Sequence, residues 1–532
     1  MTCKTYVTTA IPFVNASPHI GHALELVITD ALARHARQRG ASVRCQTGTD
    51  DNSLKNALAA ERLGIPTAEL VAHHAAEFAN LGKRLGFHPD DFIRTSSDPR
   101  HSPAVIALWK RCAAAGDIYK RNYSGLYCVG CEHFLAVEEL DGAGCCPEHR
   151  IAPEPVSEEN YFFRLSRYQD FLLGVIDRGV LRIEPAERRA EVRAFIASGL
   201  RDLSISRSRE RARGWGIPVP DDPEQIIYVW FDALTNYVSA LGWPSDGGEY
   251  STYWRGPSRR AHVIGKGVVR FHAVYWPAIL RSASLPLPSE ILSHGYVTAD
   301  GQKIGKSLGN GIDPTVLIDR YGCDSVRYFL LRHIHTTKDG DISSARLVQA
   351  HNAELADQLG NLAQRVTALV ARERHGQVPA PSTPGTLEHA LAKAAAHASD
   401  DVARGFDTFA LHKAASALFR FVTAANRYAD QTAPWSLAKR SGSAAQASLD
   451  TVLYHLVESL RVVAILALPF IPESAIELAT RVGLQEQELC WDALAWGTLP
   501  VGTTIYRRSP LFPKVSPEAA HGIRAERSTP TT

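Results

Sequence analysis

The residues His19-Ile20-Gly21-His22 stand between two contrasting patterns. Before them, the apolar run 6–13 predicts a buried strand, and after them apolar residues recur at helical spacing over 22–39. The two histidines therefore occupy a corner at which a strand is followed by a helix. The N-terminus of a helix presents N–H groups and the positive end of the helix dipole, so this corner is suited to binding phosphate groups.

A second motif, Lys303-Ile304-Gly305-Lys306-Ser307, lies far downstream and places two lysines between Gly301 and Gly309. Lysine neutralises phosphate charge, and the glycines give such a loop the freedom to close over a bound nucleotide. Together and in this order, the two motifs resemble the HIGH and KMSKS motifs of class I aminoacyl-tRNA synthetases. Taken alone, the lysines would indicate a solvated turn, and the histidines a satisfied pair at the start of a helix.

The composition is that of a soluble globular protein with several domains. The chain has 532 residues, and 58 lysines and arginines against 56 aspartates and glutamates give a net charge of +2. Any nucleic acid would therefore be met by local patches rather than by a global basic field. The start of the chain lacks the apolar region of a signal peptide, and no apolar run reaches membrane-spanning length. We expect a cytoplasmic protein without membrane contact.

Four of the nine cysteines fall between Cys128 and Cys146. Cys128-x-x-Cys131, followed by Cys146-x-x-His149, has the knuckle spacing of a structural zinc site with four ligands. In a cytoplasmic protein this cluster favours metal over disulfides. Cys145 is a neighbour, but Cys146 has the spacing that pairs with His149. The alternatives are free cysteines in a loop, or a site that has lost its metal.

The predicted fold class is α/β, a Rossmann-type doubly wound catalytic domain with a zinc-knuckle insertion, followed by an all-α helical bundle. The alternating pattern is interrupted where the cysteines cluster and returns with apolar runs such as 226–231. The predicted divisions are 1–117 and 201–294 for the two halves of the catalytic domain, 118–200 for the insertion, 295–344 for the lysine-loop region, 345–515 for the helical domain and 516–532 for a disordered tail.

The residues around these motifs resemble one family, the methionyl-tRNA synthetases. The stretches that carry the resemblance are 10–22, 215–218, 228–234, Asn236-Tyr237, Phe271-His272 and Trp276-Pro277. The likeness is strongest to the subgroup with a single zinc knuckle and no C-terminal tRNA-binding extension, which favours a monomer. It implies a methionine–tRNA ligase that uses ATP with Mg²⁺ to form methionyl-adenylate and then transfers methionine to tRNA(Met).

The resemblance also implies site residues, by matching positions. Those for ATP are His19, Gly21, His22, Gly265, Lys303, Lys306 and Ser307, and His19, His22, Lys303 and Lys306 among them are catalytic. Those for methionine are Ile11, Phe13, Asp50, Trp230, Ala233, Leu234, Tyr237, Val268, Phe271 and His272. Asp50 would bind the ammonium group. Because a thioether is nearly apolar, shape and a weak hydrogen bond from Tyr237 or His272 must select it.

The helical domain is implied to bind the anticodon through Asn361, Arg365 and Trp435. Asn361 and Arg365 are four residues apart and so share a helix face. A tryptophan that stacks on a splayed base, with Asn and Arg at base edges, is how single-stranded RNA is generally read. Without the family match, Arg365 would be a solvated charge and Trp435 a packing residue.

Three departures from the family pattern stand near the predicted site. Asp51-Asn52-Ser53 replaces an acidic-His-Gly segment. Gly267 removes a carboxylate expected at the ATP ribose, and Ile304-Gly305 replaces Met-Ser in the lysine loop. They motivate two alternatives: a specialised paralogue that acts on a methionine analogue or confers inhibitor resistance, and a tRNA-binding relic without catalysis.

Overall fold

The computed structural model describes residues 3–128, 130, 133–135, 137–147, 150–245, 247–299, 302–303 and 312–516, with only the backbone of 133, 134, 302 and 303. Four predicted site residues lie outside this description, namely Cys131, His149, Lys306 and Ser307, as does the side chain of Lys303. The predicted tail is outside it from residue 517 onward.

Strands and helices alternate in the first part of the chain, and helices alone follow. The strands are β1 Lys4–Thr9, β2 Ser42–Thr49, β3 Asp91–Arg94, β4 Ile118–Cys128, β5 His133–Leu135, β6 Glu154–Phe163, β7 Arg182–Glu184, β8 Leu203–Ser204, β9 Ser206–Ser208, β10 Pro218–Val219, β11 Asp222–Ile227, β12 Ser258–Gly265, β13 Glu290–His294, β14 Val297–Ala299, β15 Gln302–Lys303 and β16 Gly340–Ile342. The α-helices are α1 Ile20–Gln38, α2 Leu54–Leu63, α3 Thr67–Arg84, α4 His101–Ala114, α5 Gln169–Asp177, α6 Ala186–Ala197, α7 Val229–Leu234, α8 Asn236–Ser239, α9 Gly248–Tyr250, α10 Trp276–Ser282, α11 Pro314–Tyr321, α12 Cys323–Arg332, α13 Ser344–Ala350, α14 Asn361–Glu373, α15 Thr386–Asp407, α16 Leu411–Thr432, α17 Pro434–Leu437, α18 Ser443–Ala467 and α19 Pro472–Arg481. Segments Ser251–Arg255, Phe271–Tyr275 and His351–Gly360 are π-helical.

The catalytic domain is built on a parallel six-stranded sheet with the order β3-β2-β1-β12-β13-β7. β1 lies between β2 and β12, so the chain winds away from it in both directions. In such sheets ligands bind beyond the carboxyl ends of the strands, at the point where the winding reverses. The predicted doubly wound class is confirmed, and the corner 19–22 follows β1 at this point.

The insertion is an antiparallel sheet with the order β5-β4-β6-β8. Its long strands β4 and β6 pair along their length, from Ile118 with Phe163 to Tyr127 with Glu154. β7, which falls within the range 118–200 predicted for the insertion, instead pairs with β13 as an edge strand of the main sheet. The apolar run 226–231 is also divided, because β11 ends at Ile227 and α7 begins at Val229.

The C-terminal part is a helical bundle, as predicted. α18 is buried along most of its length and packs against α14, α15, α16 and α19. Pro469 and Pro472 mark its end, since proline lacks the N–H that would continue a helix. Among the described residues, no helix is both long and apolar enough to cross a membrane.

Arg327 on α12 joins the catalytic domain to this bundle and is completely buried. Its Nη2 atom donates to Oδ2 of Asp30 on α1 at 2.6 Å. It also donates to the carbonyl of Leu85 at 2.8 Å, and to those of Pro469 and Phe470 at 3.0 and 3.2 Å. α1, which begins at the histidine corner, is thereby tied to the turn between α18 and α19.

Candidate active site

Two adjoining cavities open at the carboxyl ends of β1 and β12. One has a volume of about 210 Å³ and the other about 230 Å³. His22, Glu25, Gly265 and Tyr296 line both of them. A ligand pair with one member in each cavity would therefore meet beside His22 and Glu25.

The histidine corner is held by hydrogen bonds within the motif. Nδ1 of His19 accepts from the N–H of Gly21 at 3.1 Å, and Nδ1 of His22 accepts from the N–H of His19 at 3.1 Å. The two rings stack with centroids 3.9 Å apart. In a neutral ring whose Nδ1 accepts, the proton is on Nε2, so the second nitrogen of each histidine is a donor. A Cβ at Gly21 would lie 2.9 Å from the His19 ring, which explains the glycine.

The 210 Å³ cavity collects most of the residues predicted to bind methionine. Those that line it are Ile11, Phe13, Trp230, Ala233, Leu234, Tyr237, Val268 and His272. Phe271 lies behind them, with its ring stacked on Trp230 at a centroid distance of 3.6 Å. Asp50 is buried and its backbone pairs with Phe13 at the edge of the cavity. The structure thus brings eight of the ten predicted residues together around one largely apolar space, whereas Asp50 and Phe271 do not line it.

Hydrogen bonds at the floor of this cavity fix the proton on His272. Its Nδ1 lies 2.9 Å from the carbonyl of Val268, which can only accept, so Nδ1 carries the proton. Nε2 then accepts from the Tyr237 hydroxyl at 2.7 Å. Burial lowers the pKa of His272 to about 4, so the ring is neutral at physiological pH. In this arrangement the hydroxyl proton of Tyr237 points to the histidine, and its lone pairs remain to face a ligand. Neither side chain then has a donor left for the weak hydrogen bond to a thioether that the sequence predicts.

The 230 Å³ cavity contains the four described residues predicted for ATP: His19, Gly21, His22 and Gly265. It also contains Glu25, His294 and Tyr296, which sequence reasoning missed. Nε2 of His294 lies 2.9 Å from Oε2 of Glu25. Glu25 is three residues after His22 on α1, and this spacing on one helix face was the available signal. His294 ends β13, the neighbour of β12.

Asp51 and Asn52, which depart from the family pattern, form hydrogen bonds beside the cleft. Asp51 is fully buried and accepts from Arg94 at 2.9 Å and from Ser96 at 2.6 Å. Asn52 donates to Oδ2 of Asp232 at 2.8 Å. Since Oδ1 of Asp232 is engaged by His101 at 2.6 Å, both oxygens of this buried carboxylate are occupied. Asp232 is therefore not available to replace the carboxylate missing at Gly267.

The predicted anticodon residues lie together on an exposed face of the helical domain. Asn361 and Arg365 are one turn apart on α14, and both are exposed. The Arg365 guanidinium lies 4.6 Å from the ring centroid of Trp435, and Nη2 of Arg365 pairs with Asp430 at 3.1 Å. Trp435 follows Pro434 in α17 and is only partly buried. An aromatic plane with a neighbouring guanidinium is a stacking surface for a base.

The predicted zinc residues within the described ranges, Cys128 and Cys146, are both buried and belong to one small cluster with Leu135. Cys128 ends β4, and Cys146 lies in the loop that returns to β6. Cys145, the neighbour, is more exposed. These two buried thiols, one at the end of β4 and one in the loop before β6, are two of the four predicted ligands.

Comparison with known proteins gives the family. Residues 5–153 and 146–367 match the model of the tRNA synthetases class I (M), and residues 378–529 match that of the anticodon binding domain of methionyl tRNA ligase. The chain belongs to the methionyl-tRNA synthetase family. It is a methionine–tRNA ligase, which is an aminoacyl-tRNA synthetase.

Relatives match this enzyme over nearly its whole length. The methionine–tRNA ligase of Brucella suis biovar 1 (strain 1330) is 43% identical over 515 residues, which are 96% of this chain and 98% of that protein. That of Mycobacterium leprae is 40% identical over 535 residues, 98% of this chain and 97% of that protein. The structure of Mycobacterium tuberculosis methionyl-tRNA synthetase in complex with methionyl-adenylate has 41% identity and a TM-score of 0.92, covering 96% of this chain and 100% of that chain.

Proposed function

We propose that this enzyme forms methionyl-adenylate in the cleft at the ends of β1 and β12, and then transfers the methionine to tRNA(Met). The observation that carries the proposal is that the same four residues, His22 among them, line both cavities. With methionine in the 210 Å³ cavity and ATP in the 230 Å³ cavity, the methionine carboxylate and the α-phosphate meet beside His22. Holding the two reactants at this junction supplies much of the rate by proximity alone.

The carboxylate attacks the α-phosphorus, and the bond to pyrophosphate breaks. Negative charge on the phosphates must be stabilised as this happens, and two donors, Nε2–H of His19 and Nε2–H of His22, stand at the positive end of α1. We assign Lys303, Lys306 and Ser307 to bind the phosphates from the opposite side. Mg²⁺ enters bound to the triphosphate.

In this proposal, Glu25 binds the ribose hydroxyls of ATP in place of the carboxylate that is missing at Gly267. It is the carboxylate that the described part of the 230 Å³ cavity offers to the ribose hydroxyls. Its contact with Nε2 of His294 at 2.9 Å holds it beside another residue that lines the same cavity. A hydrogen bond to a charged acceptor is worth about 1.5–3 kcal/mol, enough to offset the missing carboxylate.

Methionine is selected by the shape of an apolar space with few polar atoms. Trp230 and Phe271 form one wall as a stacked pair, and Tyr237 presents its hydroxyl oxygen at the floor. We assign the ammonium group to Asp50, which is buried and whose backbone pairs with that of Phe13. The engaged Tyr237–His272 pair offers a ligand only the accepting lone pairs of the Tyr237 oxygen, so the acceptor atom of a hydroxyl or amide on a competing side chain would be left without a donor.

A structural zinc would be held by Cys128, Cys131, Cys146 and His149. The buried position of Cys128 and Cys146 in one cluster with Leu135 fits this set, since zinc thiolates are shielded from water. Four protein ligands leave no open position, so the metal would stabilise the insertion and take no part in the reaction. We also propose that the enzyme is a cytoplasmic monomer whose domains follow the ranges predicted from its sequence.

Amino-acid-dependent ATP–pyrophosphate exchange tests the proposed reaction. We expect methionine to give a higher kcat/KM than homocysteine, leucine or isoleucine, because homocysteine lacks the terminal methyl group and the branched side chains differ in shape from that of methionine. No exchange with any amino acid would identify a tRNA-binding relic. An analogue that outperforms methionine would identify a specialised paralogue.

Trp435→Ala tests the anticodon surface. Loss of one base–aromatic stack is worth about 1–3 kcal/mol, so we expect kcat/KM for charging tRNA(Met) to fall about 5- to 100-fold. Exchange without tRNA should be unchanged, because Trp435 lies in the helical domain away from the cleft. Trp435→Phe keeps an aromatic plane beside Arg365 and should recover part of the loss. Full charging by Trp435→Ala would remove the basis of this assignment.

A further inference from the structure

Two histidines and a glutamate lie together on α3, outside the cleft. Within the described ranges, His73, His74 and Glu77 form a group of potential metal ligands whose donor atoms all lie within 4.8 Å of one another. None of the three lines the two cavities of the cleft. We propose that they form a binding site for a divalent transition metal such as Zn²⁺. This site is separate from the predicted zinc knuckle and from the Mg²⁺ that accompanies ATP.

The helix brings these three side chains to one place. His73 and His74 precede Glu77 by four and three residues, so Glu77 is a neighbour of both on the surface of α3. The two histidines are successive and diverge by about 100° around the helix axis. They still converge on Glu77, because they use different ring nitrogens. Nε2 of His73 lies 3.6 Å from Oε1 of Glu77, and Nδ1 of His74 lies 2.8 Å from its Oε2.

The distances between these atoms suit an ion of the size of zinc. Zinc bonds to imidazole nitrogen and carboxylate oxygen are about 2.0–2.2 Å long, so ligand atoms at tetrahedral angles are about 3.4 Å apart. The two nitrogen–oxygen distances lie on either side of this value. Small rotations of the three side chains would therefore bring one metal ion within bonding distance of all of them. The fourth position would be left to water.

The donor set selects the class of metal. Two imidazoles with one carboxylate suit zinc, copper, nickel and iron, whereas magnesium and calcium prefer oxygen ligands. In the part of the chain that the structure describes, the ion-pair partners of the Glu77 carboxylate are His73 and His74, and no lysine or arginine pairs with it. A divalent cation would therefore not have to displace a permanent positive charge.

His74 is positioned by the hydrophobic packing of α3. Val71 and Phe78, three residues before it and four after it, are both buried in a small core with Val14. The side chain of His74 is accordingly 13% exposed, against 68% for His73. One ligand is thus held in place before a metal binds, which lowers the conformational entropy lost on binding.

Phe78 connects this site to the histidine corner. It directly follows Glu77, and its ring meets that of His22 edge to face, with centroids 4.9 Å apart. A metal bound at 73–77 would hold α3 in the helical conformation from which Phe78 makes this contact. The metal would thus support the corner without taking part in the reaction, and the inference does not depend on the proposed reaction.

Equilibrium dialysis of the full-length enzyme against Zn²⁺, without ATP, tests the site. We expect the unaltered enzyme to bind one further zinc ion per chain than the double variant His73→Ala with Glu77→Gln. Removing even an outer partner of a metal ligand costs about 10- to 100-fold in affinity, so His73→Ala alone should weaken this binding at least about tenfold. Any zinc in the knuckle is common to all these proteins, because the variants leave its residues unchanged.

The matched control is His397→Ala. His397 is an exposed histidine on α15 with a carboxylate, Asp401, four residues further on. Asp401 is paired with Arg404 and Arg420, each at 2.7 Å, so this histidine lacks an available carboxylate partner. The control should bind as much zinc as the unaltered enzyme. Equal zinc binding by the unaltered enzyme and the double variant would overturn the inference.

Amide hydrogen exchange locates the metal. A ligand that binds only the closed helix slows exchange through opening of that helix by a factor of 1 + [L]/Kd. At a zinc concentration of 100 times Kd, the amides of 71–81 in the unaltered enzyme should exchange about 100-fold more slowly, and those of the double variant at an unchanged rate. Zinc in the knuckle would instead slow exchange in the insertion, equally in both proteins. An unchanged rate over α3 in the unaltered enzyme would show that zinc binds elsewhere and that the inference is wrong.

Discussion

Replacing His22 by alanine is expected to slow methionine-dependent ATP–pyrophosphate exchange by about 10²- to 10³-fold, the typical cost of removing one preorganised donor to a developing anion. His22 lines both cavities of the cleft, so its Nε2–H donor stands where the carboxylate and the α-phosphate meet. Affinity for tRNA(Met) should be nearly intact, because the anticodon surface lies in the helical domain.

The alanine variant also removes a structural hydrogen bond, because Nδ1 of His22 accepts from the N–H of His19. His22→Asn separates the two effects. Its side-chain oxygen is able to accept from the same N–H, but its amide does not reach as far as Nε2. We expect this variant to unfold at nearly the temperature of the unaltered enzyme and to remain as slow as His22→Ala in exchange. Exchange within tenfold of the unaltered enzyme in both variants would contradict the role assigned to His22.

The part of the fold that sequence predicts well is the part governed by local pattern. The corner 19–22 follows β1 and opens α1 as the alternation of apolar runs and helical spacing requires. The helical bundle likewise follows from periodicity and from prolines such as Pro472. β7 could not be placed in this way, because it is three residues long and is identified only by its pairing with β13.

The candidate site shows the same difference between residues that a local pattern predicts and residues that it does not. Motif positions predicted eight residues that line the 210 Å³ cavity together, since a family motif already contains the three-dimensional arrangement. Partners brought in from distant parts of the chain were not predictable. His294 reaches Glu25 across 269 positions, and His101 reaches Asp232 across 131. The second contact explains why Asp232 does not serve the ribose, a conclusion that no local pattern contains.

Arg327→Met is expected to cost about 3–5 kcal/mol of stability, the typical effect of breaking a buried ion pair by removing one partner. The substitution takes one of two arginine partners from the buried Asp30, which keeps only Arg34 at 2.7 Å, and leaves the carbonyls of Leu85, Pro469 and Phe470 without this donor. Urea unfolding, followed by near-UV circular dichroism, measures the shift in the first transition. An exposed pair in the helical domain, Arg420–Asp401, gives the control.

Arg420→Met should cost less than about 1 kcal/mol, because its side chain is 62% exposed and water replaces the lost partner. The double variant Asp30→Leu with Arg327→Met removes both buried charges, while Arg34, the other partner of Asp30, keeps its hydrogen bond to the carbonyl of Gly86. It should be more stable than Arg327→Met alone, since no buried carboxylate remains that has lost a partner. A cost below 1 kcal/mol for Arg327→Met would show that the pair does not hold α1 to the bundle.

The expected loss of stability in Arg327→Met has a functional consequence. Helix α1 presents His22 at one end, and at Asp30 it is fixed to the domain that carries Trp435. Loosening this link should therefore weaken charging of tRNA more than exchange in the fraction that remains folded.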